Sequence, residues 1–344
     1  MFSELLPDLD ELFTKLLKRD VSILLPKEQR LISPSMSKDD IRKLIGYASI
    51  LALDEGHSAK TKAYEICTRL VEVTNGKNDS VITASDFILS RLGNFPGRKL
   101  LRDRYSVKES TLSIPASLWL ERSTREIENT IFNNNNEKRQ LLTDFQYGLF
   151  LELGKKQTVS VSAPTSAGKS FTLGLDLLRR ITGKGEVQSV VYIVPTRALL
   201  REVSGRFRES LKKEELGDIP IRTVPFPIDK EKAPNGIIYV LTQERLMSLL
   251  FATQGEPWIT TLFIDEAHGI QDQSRGIVLE SAIDLTLLKF PAVELHFASP
   301  LISNPEIFPA IFHRPNSKSI LEEFSPVSQN IILVSKVSGK KKAG

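Results

Sequence analysis

The sequence predicts an α/β fold: a doubly wound parallel sheet preceded by an all-α region. Three observations predict it. Residues 157–170 read as a strand, a glycine-containing loop and the start of a helix. Beyond them, short β-branched apolar runs alternate with helix-like segments, as in a parallel sheet covered on both faces. Before about residue 110, apolar residues recur at helical spacing instead.

A chain of 344 residues predicts two domains. At 41% hydrophobic and 26% charged it has an ordinary globular composition. The net charge of +4 is compatible with a nucleic-acid partner without demonstrating one. A single cysteine, Cys67, excludes an intrachain disulfide framework and a cysteine-based zinc site; it reads as a small core residue. The first residues lack the basic region and apolar run of a signal peptide. No apolar run reaches membrane-spanning length, so the expectation is a cytoplasmic protein without a membrane partner.

In chain order, the first helix is predicted over 3–17, from Leu5, Leu6, Leu9, Leu12, Phe13, Leu16 and Leu17. Ser37 and Asp40 form a capping box that opens the second, through Ile41, Leu44 and Ile45 to about residue 52. A third covers 59–72, and 74–79 is a turn. A fourth starts near Ser85 and ends at Asn94-Phe-Pro-Gly97. Glu55 and His57 read as solvated residues at a helix end. Residues 1–110 are therefore expected to be a helical accessory domain without catalytic residues. Residues 111–140 form a connector with one more helix and a polar loop tip at Asn133–Asn136.

Thr143 and Gln146 make a second capping box, opening a helix through Leu149, Phe150 and Leu153. For Gln146 the cap and a nucleotide contact weigh evenly. Strands are predicted over 157–162, 187–194, 219–224, 236–242, 258–264 and 292–297. Pro220 suits an edge strand better than a central one. Helices follow at 171–180, 195–203 and 243–250. The α/β domain thus spans 141–318. An outgoing strand near 325–334 and a solvated basic tail fill 319–344.

The chemistry sits at strand ends, where ligands of open α/β sheets collect. Ala163, Pro164, Thr165, Ser166, Ala167, Gly168, Lys169 and Ser170 fit the phosphate-loop pattern G-x-x-x-x-G-K-[ST], with Ala163 in place of the first glycine. Open N–H groups at a helix start attract phosphate oxygens. Lys169 is expected to neutralise the β- and γ-phosphates of ATP, and Ser170 to ligate Mg²⁺. Asp265 and Glu266 close a later apolar strand. One carboxylate can hold Mg²⁺ opposite Ser170, and the other can polarise the attacking water.

Residues 140–310 resemble the first RecA-like domain of superfamily 2 helicases of the DEAD/DEAH type. Ala163–Ser170 looks like motif I, Pro195-Thr-Arg-Ala-Leu199 like motif Ia, and Thr242-Gln-Glu-Arg-Leu246 like the T-P-E-[RK]-L motif, with Gln243 replacing proline. Asp265-Glu-Ala-His268 is a DEAH box. Arg275-Gly276 and Ser303-Asn-Pro-Glu306 resemble the Ski-type (DExH) branch. Ala298-Ser-Pro300 stands where motif III normally reads S-A-T.

The resemblance implies that Gln146 contacts adenine. It implies that Pro195, Thr196, Arg197, Thr242, Gln243 and Arg245 meet the backbone of DNA or RNA, single-stranded or partly duplex. His268, Arg275 and Ser299 would couple ATP state to domain movement, Ser299 from within the altered motif III. It further implies a second RecA-like domain carrying arginine fingers. The residues after Ala298–Pro300 are too few to form one, so it is expected in cis, if the chain is a fragment, or in trans. A helical region ahead of a DExH motor also looks like bacterial antiphage-defence helicases of the Hachiman type.

The leading expectation is a nucleic-acid-dependent ATPase or helicase. One alternative is a non-catalytic module binding ATP or nucleic acid. Another is a different phosphate-loop enzyme, such as a kinase or translocation ATPase; Pro195–Leu199 together with the DEAH box argues against it.

Overall fold

The computed structural model describes residues 6–25, 35–105, 115–132, 139–183 and 185–327. Five helices come first: α1 (Leu9–Leu24), α2 (Lys38–Leu51), α3 (His57–Val73), α4 (Asp79–Arg91) and α5 (Phe95–Tyr105). Leu12, Leu16, Leu44, Ala48, Ile66, Leu70, Val81 and Ile88 form their shared core, with Cys67 inside it.

Local chemistry sets these boundaries and corrects three expectations. Pro7 and Asp8 precede α1, and Asp8 takes a left-handed φ of +62°, so the helix starts at Leu9 and runs on to Leu24. The part of the expected helix before Leu6 lies outside the described residues. α4 begins at Asp79 and not near Ser85. Asn78, at the end of the predicted turn, accepts from the N–H groups of Ser80 and Val81 and caps the helix. Asn94 likewise caps a new helix: its Oδ1 accepts from Gly97 N at 3.0 Å, and Pro96 sits in the first turn of α5.

α6 (Ala116–Glu128) falls in the predicted connector but packs on the helical unit. Arg91 of α4 pairs with Glu121, and Arg122 reaches Asp86. Asp86, fully buried, also takes Arg98 and Arg102. The helical unit therefore runs to Glu128. A two-stranded antiparallel hairpin follows, β1 (Thr130–Phe132) with β2 (Arg139–Leu141). The expected loop tip at Asn133–Asn136 lies outside the described residues.

The second unit is a seven-stranded sheet. Its strands are β3 (Thr158–Ser162), β4 (Ser189–Ile193), β5 (Ile221–Arg222), β6 (Ile237–Leu241), β7 (Thr261–Ile264), β8 (Glu294–Ser299) and β9 (Ser317–Leu321), in the order β5-β6-β4-β7-β8-β3-β9. Every pairing is parallel. The two-residue β5 is an edge strand, as Pro220 predicts.

Alternating residues of the strands feed two cores. Val159, Val161, Val190, Tyr192, Ile238, Val240 and Phe263 pack against α7 (Asp144–Leu153), α8 (Lys169–Thr182) and α9 (Arg197–Lys213). Val191, Ile193, Ile237, Leu241, Leu262, Ile264, Leu295 and Phe297 pack against α10 (Gln243–Leu250), α11 (Arg275–Lys289) and α12 (Ile307–Ile311). This is a RecA-like doubly wound fold.

β9 is a strand that the sequence reading did not include, and the described part of the expected outgoing strand, 325–327, is not in a strand. Thr158 to Ser162 pair with Ser317 to Leu321, so the boundary drawn at 318 falls inside a strand of the sheet. Ser317, Lys318 and Ser319 carry no apolar alternation because β9 is the other edge and is half exposed. Residues 328–344, with the rest of the expected strand and the basic tail, lie outside the described residues. Among the described residues no helix is long and apolar enough to cross a membrane.

Candidate active site at the carboxyl edge of the sheet

β3 ends in the loop Ala163–Gly168, and α8 begins directly after it. Gly168 has φ +86°, and a Cβ there would stand 2.4 Å from Gln146 Nε2. The positive φ demands glycine at this position, and a Cβ would also displace the Gln146 amide. Lys169, only 5% exposed, donates through Nζ to the carbonyls of Ala163 and Pro164, the latter at 3.0 Å. Burial pushes its pKa down, while Glu266 and Asp265 pull it back up.

Gln146 makes the capping contact that the sequence allowed, and a second contact to the loop itself. Its Oε1 accepts from Thr143 N at 3.1 Å, closing the capping box of α7. Its Nε2 donates to Ala167 O at 3.1 Å. The cap therefore presents the amide to the phosphate loop.

β7 carries Asp265 into the same cleft, two strands away from β3. Ser170 Oγ donates to Asp265 Oδ2 at 3.0 Å, and Tyr192 Oη donates to the same oxygen at 2.9 Å. Tyr192 is fully buried; burial first and Asp265 second raise its pKa well above the usual tyrosine value, so it stays a donor. Glu266 has φ +57°, unusual for a non-glycine residue, which turns the chain out of the strand. Burial, then the neighbouring Asp265 charge, raises the Glu266 pKa; His268 and Lys169 oppose this. His268 Nδ1 lies 3.3 Å from Glu266 Oε2.

The donor set fits a hard divalent cation. Asp265 and Ser170 supply oxygen only, and among the described residues no cluster of three metal-ligating side chains competes. Mg²⁺ is commonly held by one or two carboxylates with phosphate and water completing its shell.

Beside this cleft a groove of about 370 Å³ is lined by Pro195, Thr196, Arg197, Thr242, Glu244, Arg245 and Arg275. Thr196 caps α9 by accepting from Leu199 N at 3.3 Å. Arg275 donates to Pro195 O and, at 3.4 Å, to Glu244. Arg245 donates to Thr223 O. Five of the six residues expected to meet a strand share this groove with Arg275. Gln243 does not: it is 5% exposed and lines a small cavity with Asp265, Glu266 and Gly269. As first residue of α10 it is directed inward, so its expected strand contact is corrected.

Ser299 is also buried, and its hydroxyl donates to Val161 O at 3.4 Å. Ser162 Oγ ties down the segment that follows β8: it accepts from Ile302 N at 2.7 Å, and its single proton is within reach of Ile302 O at 2.9 Å and Pro300 O at 3.0 Å.

Sequence reasoning missed Tyr192 and Glu244. An aromatic residue inside an apolar strand signals core, and its hydroxyl partner is set by the neighbouring strand. Glu244 did carry a signal, an acid between Gln243 and Arg245 in a basic motif.

Residues 143–299 match the family model described as DEAD/DEAH box helicase. The chain is 27% identical over 206 residues to the DExH-box ATP-dependent RNA helicase DExH10 of Arabidopsis thaliana, covering 58% of this chain and 19% of that protein. It is 30% identical over 171 residues to the ATP-dependent DNA helicase Hel308 of Thermoplasma acidophilum, covering 47% and 24%. It is 30% identical over 145 residues to the ATP-dependent RNA helicase mtr4 of Schizosaccharomyces pombe, covering 42% and 12%. The chain thus spans a quarter or less of the length of these relatives. A crystal structure of the DUF1998 helicase MrfA bound to DNA overlaps 56% of this chain and 28% of that chain, at 19% identity and a TM-score of 0.41.

Proposed function

We propose that the DEAD/DEAH-box helicase motor domain of this chain binds ATP at Ala163–Ser170 and hydrolyses it in response to a DNA or RNA strand in the Arg197–Arg245–Arg275 groove. One observation carries this reading: Ser170 and Tyr192 converge on Asp265 beside Lys169 and Glu266, at the edge of the sheet where the groove opens.

Each residue then has a task. The loop amides hold phosphate oxygens, and Lys169 leaves its carbonyl partners to meet the β- and γ-phosphates. Ser170 and Asp265 would hold Mg²⁺, which supplies charge neutralisation between phosphate oxygens. Tyr192 fixes the Asp265 carboxylate. Glu266 takes the proton of the attacking water, and its raised pKa suits it to that role. Gln146 offers its amide to the adenine edge. Arg197, Arg245 and Arg275 contact the strand backbone, which positions without reading sequence.

Arg275-Gly276 and Ser303–Glu306 favour the Ski-type branch of these helicases. The helical unit ahead of the motor favours, more distantly, a cytoplasmic antiphage role. A regulatory nucleotide-binding module is the second reading; buried Ser299, with its hydroxyl on Val161, favours it because one coupling contact is occupied. A further motor domain in cis or in trans would complete the helicase.

The test is fluorescent-ATP binding and ATP turnover by this chain, with and without single-stranded DNA and RNA. We expect Lys169→Ala to abolish binding. We expect Glu266→Gln to bind ATP normally and to lose turnover by about 10²–10⁴-fold. Strand-independent binding without turnover selects the regulatory module. Unchanged binding in Lys169→Ala sinks both readings.

A further inference from the structure

We propose that the segment Glu322–Val327 is a strap that positions the phosphate loop from outside, with Ser325 as the positioning residue, and so makes the helical unit a fixed wall of the nucleotide site. The inference rests on the nucleotide reading of the loop. The strap itself lies outside every helicase motif quoted above, and it acts on Ser166 inside the loop.

The strap leaves β9 alongside β3, the strand that feeds the loop, and Glu322 N donates to Ser162 O at 2.9 Å. Glu322 Oε1 accepts from Phe324 N at 2.7 Å, which folds the strap back. Ser325 Oγ then meets Ser166 Oγ at 2.8 Å. Ser166 is the middle residue of the turn Thr165–Ala167 that shapes the loop. Ser325 is itself oriented by Val327, donating to its carbonyl at 2.9 Å.

The strap's other side belongs to the helical unit. Phe324 packs edge-on against Tyr64 of α3, with ring centroids 5.8 Å apart, and joins that unit's core. Asn94 Nδ2 donates to Pro326 O at 3.3 Å. A cavity of only about 70 Å³ separates Lys60 and Asn94 from Phe145, Ala167 and Phe324. A helical unit joined to the loop by a hydroxyl pair and a half-buried ring transmits its position to Ser166. Held this way, the loop keeps its N–H groups converged before a phosphate arrives, and less ordering remains to be done on binding.

The experiment compares wild-type chain, Ser325→Ala, Ser325→Thr and a control, Ser123→Ala, whose hydroxyl only meets Trp119 O on an exposed face. Amide hydrogen exchange of residues 163–168 is measured without nucleotide, and fluorescent-ATP affinity separately. Losing one hydrogen bond predicts about fivefold faster exchange in the loop for Ser325→Ala. ATP affinity falls about fivefold, the rest of the sheet exchanges as before, and Ser325→Thr restores both. Equal loop exchange in wild type and Ser325→Ala overturns the strap, as does a rise spread evenly over the whole motor. If the wild type binds no ATP, the nucleotide reading falls, and the exchange result still decides the strap on its own.

Discussion

The side chain with the largest consequence for chemistry is Glu266. It lies past the end of β7 in a left-handed conformation, partly buried beside Asp265, and both surroundings disfavour its charge. The sign follows directly. A raised pKa means the fold favours the protonated acid, so Glu266 contributes less to stability as pH rises through that value. A general base needs the ionised form, so turnover must rise across the same range. We expect the acid limb of the pH–rate profile to lie above the ordinary glutamate range of about 4.3. His268 pulls the value down, so His268→Ala should move the limb to higher pH. A limb unmoved by this change would remove Glu266 as the titrating base. That Lys169, Asp265 and Glu266 share one cleft was legible because each follows a strand of the sheet in a fixed pattern. Tyr192 was not, since its partner Asp265 belongs to the adjacent strand.

At the scale of the element, caps decide where helices begin. Ser37 and Asp40 exchange both bonds of their box at 3.0 Å, and Lys15 of α1 donates to Asp40 at 2.6 Å. The box therefore also ties α1 to α2. The Lys15 hydrogen bond, followed by that of the Ser37 backbone, lowers the Asp40 pKa from 3.8 to about 2. A depressed carboxylate stabilises the fold above its unfolded pKa and loses that contribution as pH falls through the folded one. Denaturant unfolding should show a loss between pH 3.8 and about 2 that Asp40→Asn flattens. An identical loss in the variant would rule the linkage out. Ser37→Ala should cost about 1 kcal/mol at neutral pH. Asn78 and Asn94 do the same job for α4 and α5, but within turn-like sequence, where a cap and a breaker use the same residue type.

At the scale of the whole molecule, two units meet at Asp144, the first residue of α7. Its carboxylate takes Arg125 and, at 3.0 Å, Asn129, while its N–H donates to Gly93 O at 3.3 Å. Gly93 has φ +65°, and a Cβ there would fall 2.1 Å from the Asp144 carboxyl carbon. Gly93→Ala forces the carboxylate away from Arg125 and Asn129 and strains the backbone. We expect a loss of about 1–3 kcal/mol in denaturant unfolding. A stability equal to wild type would show that Asp144 yields without cost.

The sequence by itself determined the sheet-and-helix class, the phosphate loop, the DEAH turn and the basic groove motifs. These rest on local grammar: apolar period, caps, glycine at a positive φ, and charges at strand ends. Only the tertiary structure decided that Gln146 caps α7 and touches the loop at once. It also turned Gln243 inward, made β9 an edge strand and folded α6 onto Asp86. Each of those outcomes depends on which distant segment lies alongside. Burial and hydrogen-bond partners are fixed by packing across the chain, and a local pattern cannot carry that information.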